Sequence, residues 1–239
     1  GSFQRTAKFR GPDLDSAVAA ELVAVAGRLN NAFRRLGSGW AIFVEAQRSE
    51  AATYPADRFP DPASALVDAE RKADFEEEGS HFVSGYFLTF LWLPPAEDAA
   101  RSESWLYEGR ETSGVNPWEL VRGFIDRTDR VLALLDGFMP ECSWLDDAGT
   151  LTYLHSTIST NRHRVRVPEV PMHLDALLAD QPLTGGLEPR LGLSHLRVLT
   201  ITGFPGTTTP GLLDEMNRLA FPYRWSTRAI LMDKTDATR

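Results

Sequence analysis

The chain has 239 residues, 43% of them apolar and 24% charged, enough to bury a sizeable core as one large domain or two small ones. Its formal charge of −8 argues against broad electrostatic wrapping of nucleic acid, which draws on clustered Lys and Arg. A single cysteine, Cys142, excludes an intramolecular disulfide and an all-cysteine zinc site.

Phe3 to Arg10 suits a first strand, stopped by Gly11-Pro12. Asp13 and Asp15 offer cap oxygens for a helix from about Ser16 to Leu36. Its apolar stripe is Leu22, Val25, Ala26, Leu29, Phe33 and Leu36. Gly37-Ser-Gly39 closes it, and Trp40 to Ala46 follows as an apolar strand, giving a β-α-β opening. A Pro-rich loop, Tyr54 to Pro62, leads into a second helix around Ala63 to Glu77 with a weak face of Leu66, Val67, Ala69, Ala73 and Phe75. Its acidic end, Glu76 to Glu78, opposes the helix dipole.

Phe82 to Leu93 is the strongest strand, too short to span a membrane and ended by Pro94-Pro95. Pro94 to Asn116 reads as a polar excursion, and Asn116-Pro117 as cap and first residue of a long helix to about Leu135. That helix should bury Val121, Phe124, Ile125, Thr128, Val131, Leu132 and Leu135. Cys142 reads as a small buried residue beside Trp144. Asp146 or Asp147 caps the next helix, with Leu151, Leu154 and Ile158 on one side. After the proline-bounded basic stretch Asn161 to Pro171, the expectation is a short helix at His173 to Ala179 and a strand at Leu196 to Thr202. A helix from Thr209-Pro210 to Ala220 and a last strand, Tyr223 to Met232, complete the chain. The sum is an α/β chain, α+β being the alternative, with mixed sheets, packed helices and two α/β lobes, residues 1–140 and 141–239. Neither a spanning helix nor a secretory signal is expected.

Chemistry-bearing patterns are sparse. The three lysines, Lys8, Lys72 and Lys234, follow no glycine-rich phosphate loop. Gly203 to Thr209 has the outline of an anion nest without the lysine and reads as helix capping. The five histidines lack the His-Glu-x-x-His spacing; His155 with Asp147, or His163 with His173, are the pairings that folding could create. No catalytic, cofactor or metal residue is therefore assigned. The candidate contacts are Arg162, Arg164 and Arg166, whose alternation would place three guanidinium groups on one strand face, and Trp105, a potential exposed anchor in the polar excursion. The arginines suit pairing with the chain's own carboxylates, a partner or lipid surface, or nucleic acid.

Two stretches carry a more specific word order: Trp144 to His155 (WLDDAGTLTYLH) and Val167 to Asp175 (VPEVPMHLD). With Phe3 to Asp15, Leu29-Asn-Asn, Arg35 to Trp40, Gly203-Phe-Pro, Pro210 to Asp214 and Tyr223 to Arg228, they are collinear over nearly the whole chain. The set resembles the N-terminal domain of TrbE-type conjugative-transfer ATPases of type IV secretion systems, the CagE/TrbE/VirB family. The resemblance implies the front segment of a larger polypeptide whose ATPase domain, with its phosphate loop, ATP and Mg, would begin beyond Arg239. It also implies a docking and assembly role without catalysis or cofactor of its own. The domain would contact TrbD-like inner-membrane components and neighbouring ATPase protomers, at the cytoplasmic face of a bacterial inner membrane. The alternatives are a nucleic-acid-binding accessory domain, disfavoured by the acidic balance, and an independent small-molecule enzyme.

Overall fold

The computed structural model describes residues 2–14, 16–51, 53–55, 57–77, 81–95, 117–203, 205–207, 216, 218–234 and 238. The first half runs β1 (Phe3–Arg10), α1 (Ala19–Phe33), β2 (Trp40–Glu50), α2 (Pro62–Glu77), β3 (Phe82–Trp92) and α3 (Pro117–Asp136). Next come β4 (Glu141–Trp144), α4 (Asp147–Ile158) and α5 (Leu174–Leu178). Three two-residue strands follow, β5 (Leu183–Thr184), β6 (Arg190–Leu191) and β7 (Ser194–His195), and then β8 (Tyr223–Ile230). Among the described residues, five strands form one sheet in the order β4-β1-β3-β2-β8, and β5-β6-β7 form a small second one.

Each of these pairings is antiparallel, the α+β form of the expected class. Both β1 and β2 pair with β3, so the opening β-α-β unit is split by a strand between its arms. The order β4-β1-β3-β2 is a ferredoxin-like arrangement, with α2 inserted between β2 and β3 and β8 added outside β2. The sheet draws on both sides of residue 140, where two lobes were expected to meet. Ala7 faces Trp144 across β1 and β4, and β8 runs along β2 from Ala41↔Ile230 to Arg48↔Tyr223.

Alternation along the strands separates the sheet's two faces. Trp40 and Ile42 on β2, with Leu88, Phe90 and Trp92 on β3, pack against Ala32 of α1 and Phe124, Val131 and Leu135 of α3. Phe3, Trp92, Trp40 and Phe124 form a ring stack with centroids 5.6–6.3 Å apart. Stacked pairs of this kind add about 0.5–1.5 kcal/mol each beyond their buried area. The predicted stripe of α3 is buried or half-buried except at Ile125, and that of α1 except at Ala26, with Ala32 fully buried in addition. Gly39, at φ 86, opens β2; a Cβ there would sit 2.8 Å from the Leu93 carbonyl. The Leu93 N–H donates to the Gly39 carbonyl at 2.8 Å, extending the β2–β3 pairing to the Gly37–Trp40 turn. Side-chain and backbone bonds between Ser38 and Asp233 tie the end of β8 to this turn.

Several local expectations need correction. α1 begins at Ala19, because the Val18 N–H finds the Glu21 carboxylate at 3.0 Å and so sets the first turn there, later than Asp13 or Asp15 would. α2 starts on an unforeseen cap: Asp61 accepts from the Ser64 N–H and hydroxyl at 2.9 and 3.0 Å, with Pro62 at the first helical position. β2 runs on to Glu50, since β3 offers it partners as far as Phe82. Asp146 caps α4 through the Gly149 N–H, but that helix buries Tyr153 and His155, while Leu151 and Leu154 are half-buried and Ile158 is exposed. The reason is that α4 packs through Tyr153 on a polar sheet face. Leu196 to Thr202 forms no strand; pairing requires a neighbouring edge, and among the described residues none lies along it. Most of the expected helix at 209–220, the excursion at 96–116 and the Asn116 cap lie outside the described residues.

Candidate functional site

The face of the sheet opposite the aromatic core is polar. Strand alternation aims Thr6 of β1, Glu45 and Gln47 of β2, Thr89 of β3 and Arg224 of β8 toward α4, which lays Tyr153 over them. The Thr6 and Thr89 hydroxyls meet at 2.9 Å, and Thr89 donates to the Tyr153 hydroxyl at 3.3 Å. Tyr153 in turn donates to Glu45 Oε2 at 3.5 Å. Glu45, 6% exposed, is ion-paired with Arg224 and accepts from the Gln47 amide at 2.9 Å. Gln47 also donates to the Ser156 hydroxyl at 3.0 Å, and Arg224 to the Ser156 carbonyl. A buried carboxylate is tolerable only when its oxygens are met in this way. Burial pushes the Tyr153 hydroxyl above its ordinary value, opposed by the Thr89 hydrogen bond, so the phenol stays protonated at neutral pH.

Beside this network lies a cleft of about 550 Å³, lined by Gln47, Phe87, Tyr153, His155, Arg162 and His163 among others. That volume falls in the range of small-ligand sites. At one end His155 is buried on α4, its ring 4.4 Å from that of His163. The His155 Nε2 lies 3.2 Å from Asp180 Oδ2 at ion-pair distance, yet no aligned hydrogen bond reaches it. Asn161 donates its amide to Asp180 at 2.7 Å. Asp180 is held well below the usual carboxylate range, first by that amide and then by the Ser159 hydroxyl, with His155 adding to the effect.

The predicted contact residues divide. The basic stretch runs as coil, with Val165 buried and its N–H bonded to Thr152 Oγ1 at 3.0 Å. Arg162 reaches Gln47 Oε1 at 3.5 Å and Arg164 lies 3.6 Å from Asp146 Oδ2, so both line the cleft rather than a strand face. Arg166 is exposed, and Trp105 lies outside the described residues. His155 meets His163 and Asp180, and the two pairings suggested by the sequence are not the ones that folding makes. His173 precedes α5, His195 sits 3.5 Å from Glu188, and His81 stacks on Phe75 at 3.9 Å. Glu45, Gln47, Asp180 and Arg224 gave no local signal: they stand on three separate segments, and only strand register gathers the first, second and last. Cys142 packs against the aromatic core but is half-buried rather than buried as expected. Burial, and then the nearby Asp136 charge, push its thiol up to about 11.

A ferredoxin-like sheet with one aromatic and one polar face defines an α+β domain but no activity by itself. Sequence likeness is more informative. Residues 1–100 match the family described as the type IV secretion system ATPase VirB4/TrbE, N-terminal domain. Over 99% of its length the chain is 31% identical to a conjugal transfer protein TrbE of Rhizobium radiobacter, covering 31% of that protein. Sinorhizobium fredii has two probable conjugal transfer TrbE chains that also match. The chain is 39% identical to the first over 97 residues, which takes in 39% of this chain and 65% of that one. It is 34% identical to the second over 87 residues, 36% of this chain and 13% of that one. The chain is thus similar to TrbE conjugal transfer proteins along nearly all of its length, and its residues 1–100 to the N-terminal domain of the VirB4/TrbE type IV secretion ATPases. It spans about a third of the length of the Rhizobium radiobacter relative.

Proposed function

We propose that this chain is the docking and assembly domain of a TrbE-type conjugative-transfer ATPase and hydrolyses no nucleotide itself. In this reading it links a separate motor domain to TrbD-like components and to other protomers, peripherally at the cytoplasmic face of a bacterial inner membrane. None of the described helices is long and apolar enough to cross that membrane.

The observation that carries the reading is where apolar side chains stand outside the core. Leu187, Leu193, Val198 and Leu199 are 106%, 98%, 81% and 91% exposed. Single exposed leucines are ordinary, but a concentration within one short stretch marks a surface that a partner covers. The acidic balance and the self-paired Arg164 weigh against nucleic acid as that partner. The test is co-purification of the chain with the small membrane component from the same operon in mild detergent. A stable complex weakened by Leu193→Glu and Leu199→Glu supports docking through this surface. A well-folded chain that captures neither that component nor another protomer would falsify it, as would motor-like ATP turnover for the claim of no catalysis.

A second reading rests on the cleft beside Tyr153, whose volume and mixed lining suit a small ligand. Glu45 is not available there as a free base, because Arg224, Gln47 and Tyr153 occupy its oxygens. Ligand-dependent shifts in thermal unfolding across a metabolite set, abolished by Tyr153→Phe, would favour a binding site over a docking domain alone.

A further inference from the structure

We propose that His155, His163 and Asp180 form a binding site for a divalent transition-metal ion, with zinc the best fit. The three ligand atoms lie within 4.8 Å of one another. In a tetrahedral zinc site, metal–nitrogen and metal–oxygen distances near 2.0–2.2 Å put neighbouring donors about 3.4 Å apart. The His155–Asp180 edge, at 3.2 Å, already has that length. His163 stands on exposed coil, where a change of rotamer brings its ring the remaining distance.

The second observation concerns His155 itself. The residue is 2% exposed, and its Nε2, aimed at the cluster, faces the Asp180 carboxylate at 3.2 Å without an aligned hydrogen bond. A buried polar atom left in that state is costly, and coordination would satisfy it. Two imidazoles with one carboxylate suit zinc or its first-row neighbours, whereas magnesium and calcium take oxygen donors. Asn161 donates at 2.7 Å to the same Asp180 oxygen that faces His155, and so fixes the carboxylate in the cluster. Three separate segments would be pinned together: α4, the basic coil that follows it, and the residues after α5. The fourth position opens toward the cleft that His155 and His163 also line, leaving room for water. Arg162 and Arg164, which line the same cleft, oppose any cation held by charge alone, so affinity rests on the imidazoles. The site is independent of the docking surface, and either proposal can fail without the other.

The test is equilibrium dialysis of the full chain, stripped with chelator, against zinc alone. The expected result is about one zinc per chain, with affinity reduced by tenfold or more in His163→Ala and Asp180→Asn, the range typical of disturbed metal shells. His195→Ala, which alters a surface histidine outside the cluster, should change nothing. Cobalt substituted for zinc should show the visible bands of tetrahedral coordination, a readout that a purely structural His–Asp contact would not give. Absence of saturable binding, or binding undiminished by both His163→Ala and Asp180→Asn, overturns the proposal.

Discussion

Two stretches of similar sequence character meet opposite ends. Phe82–Trp92 and Leu196–Thr202 are both rich in residues that favour strands, and neither contains proline. The first became β3, paired on both sides by β1 and β2, with Phe90 fully buried. The second has no strand partner among the described residues, and its Val198 and Leu199 stand in solvent. Propensity thus states a capacity to pair, whereas burial depends on what the rest of the chain brings alongside. Where no described residue does so, the apolar surface remains for something else to cover.

Substitutions sharpen this contrast by separating stability from association. Phe90→Ala, near the end of the paired stretch, should cost about 3–5 kcal/mol in urea unfolding, because it leaves a cavity between the Phe33 and Trp144 rings. On the opposite face, Arg224→Ala leaves Glu45 buried without its cation, at a cost of about 3 kcal/mol. Replacing both members together, with Glu45→Leu and Arg224→Met, should recover most of that loss; if it does not, the pair contributes more than charge compensation. Asp146→Ala removes the cap of α4 and should cost about 1 kcal/mol. Leu199→Glu should stay within about 0.5 kcal/mol of the parent, the range of exposed positions, while weakening partner capture. A large loss of stability there would mean the unpaired stretch is packed after all.

Much of the first half was legible. Strands, turns and the aromatic core followed from alternation and from Gly and Pro punctuation, and the α3 stripe fitted from Val121 to Leu135 apart from Ile125. Pairing was not legible. Nothing local says that β3 inserts between β1 and β2, or that the last strand, 223–230, returns to flank β2. The polar face was hidden for the same reason: Glu45 sits in an apolar strand, and Arg224 joins it only through the Gln47↔Arg224 register. The histidine cluster was harder still, since His163 and Asp180 approach His155 through irregular chain that carries no periodicity.

Docking through the unpaired apolar stretch is tested most directly by amide hydrogen exchange on the chain alone and in complex with the TrbD-like component. New protection confined to residues 183–203, with exchange across the five-stranded sheet unchanged, is the predicted result. Protection appearing instead around Tyr153 and Glu45, or at no segment of a stable complex, would contradict the assignment of that stretch as the docking surface.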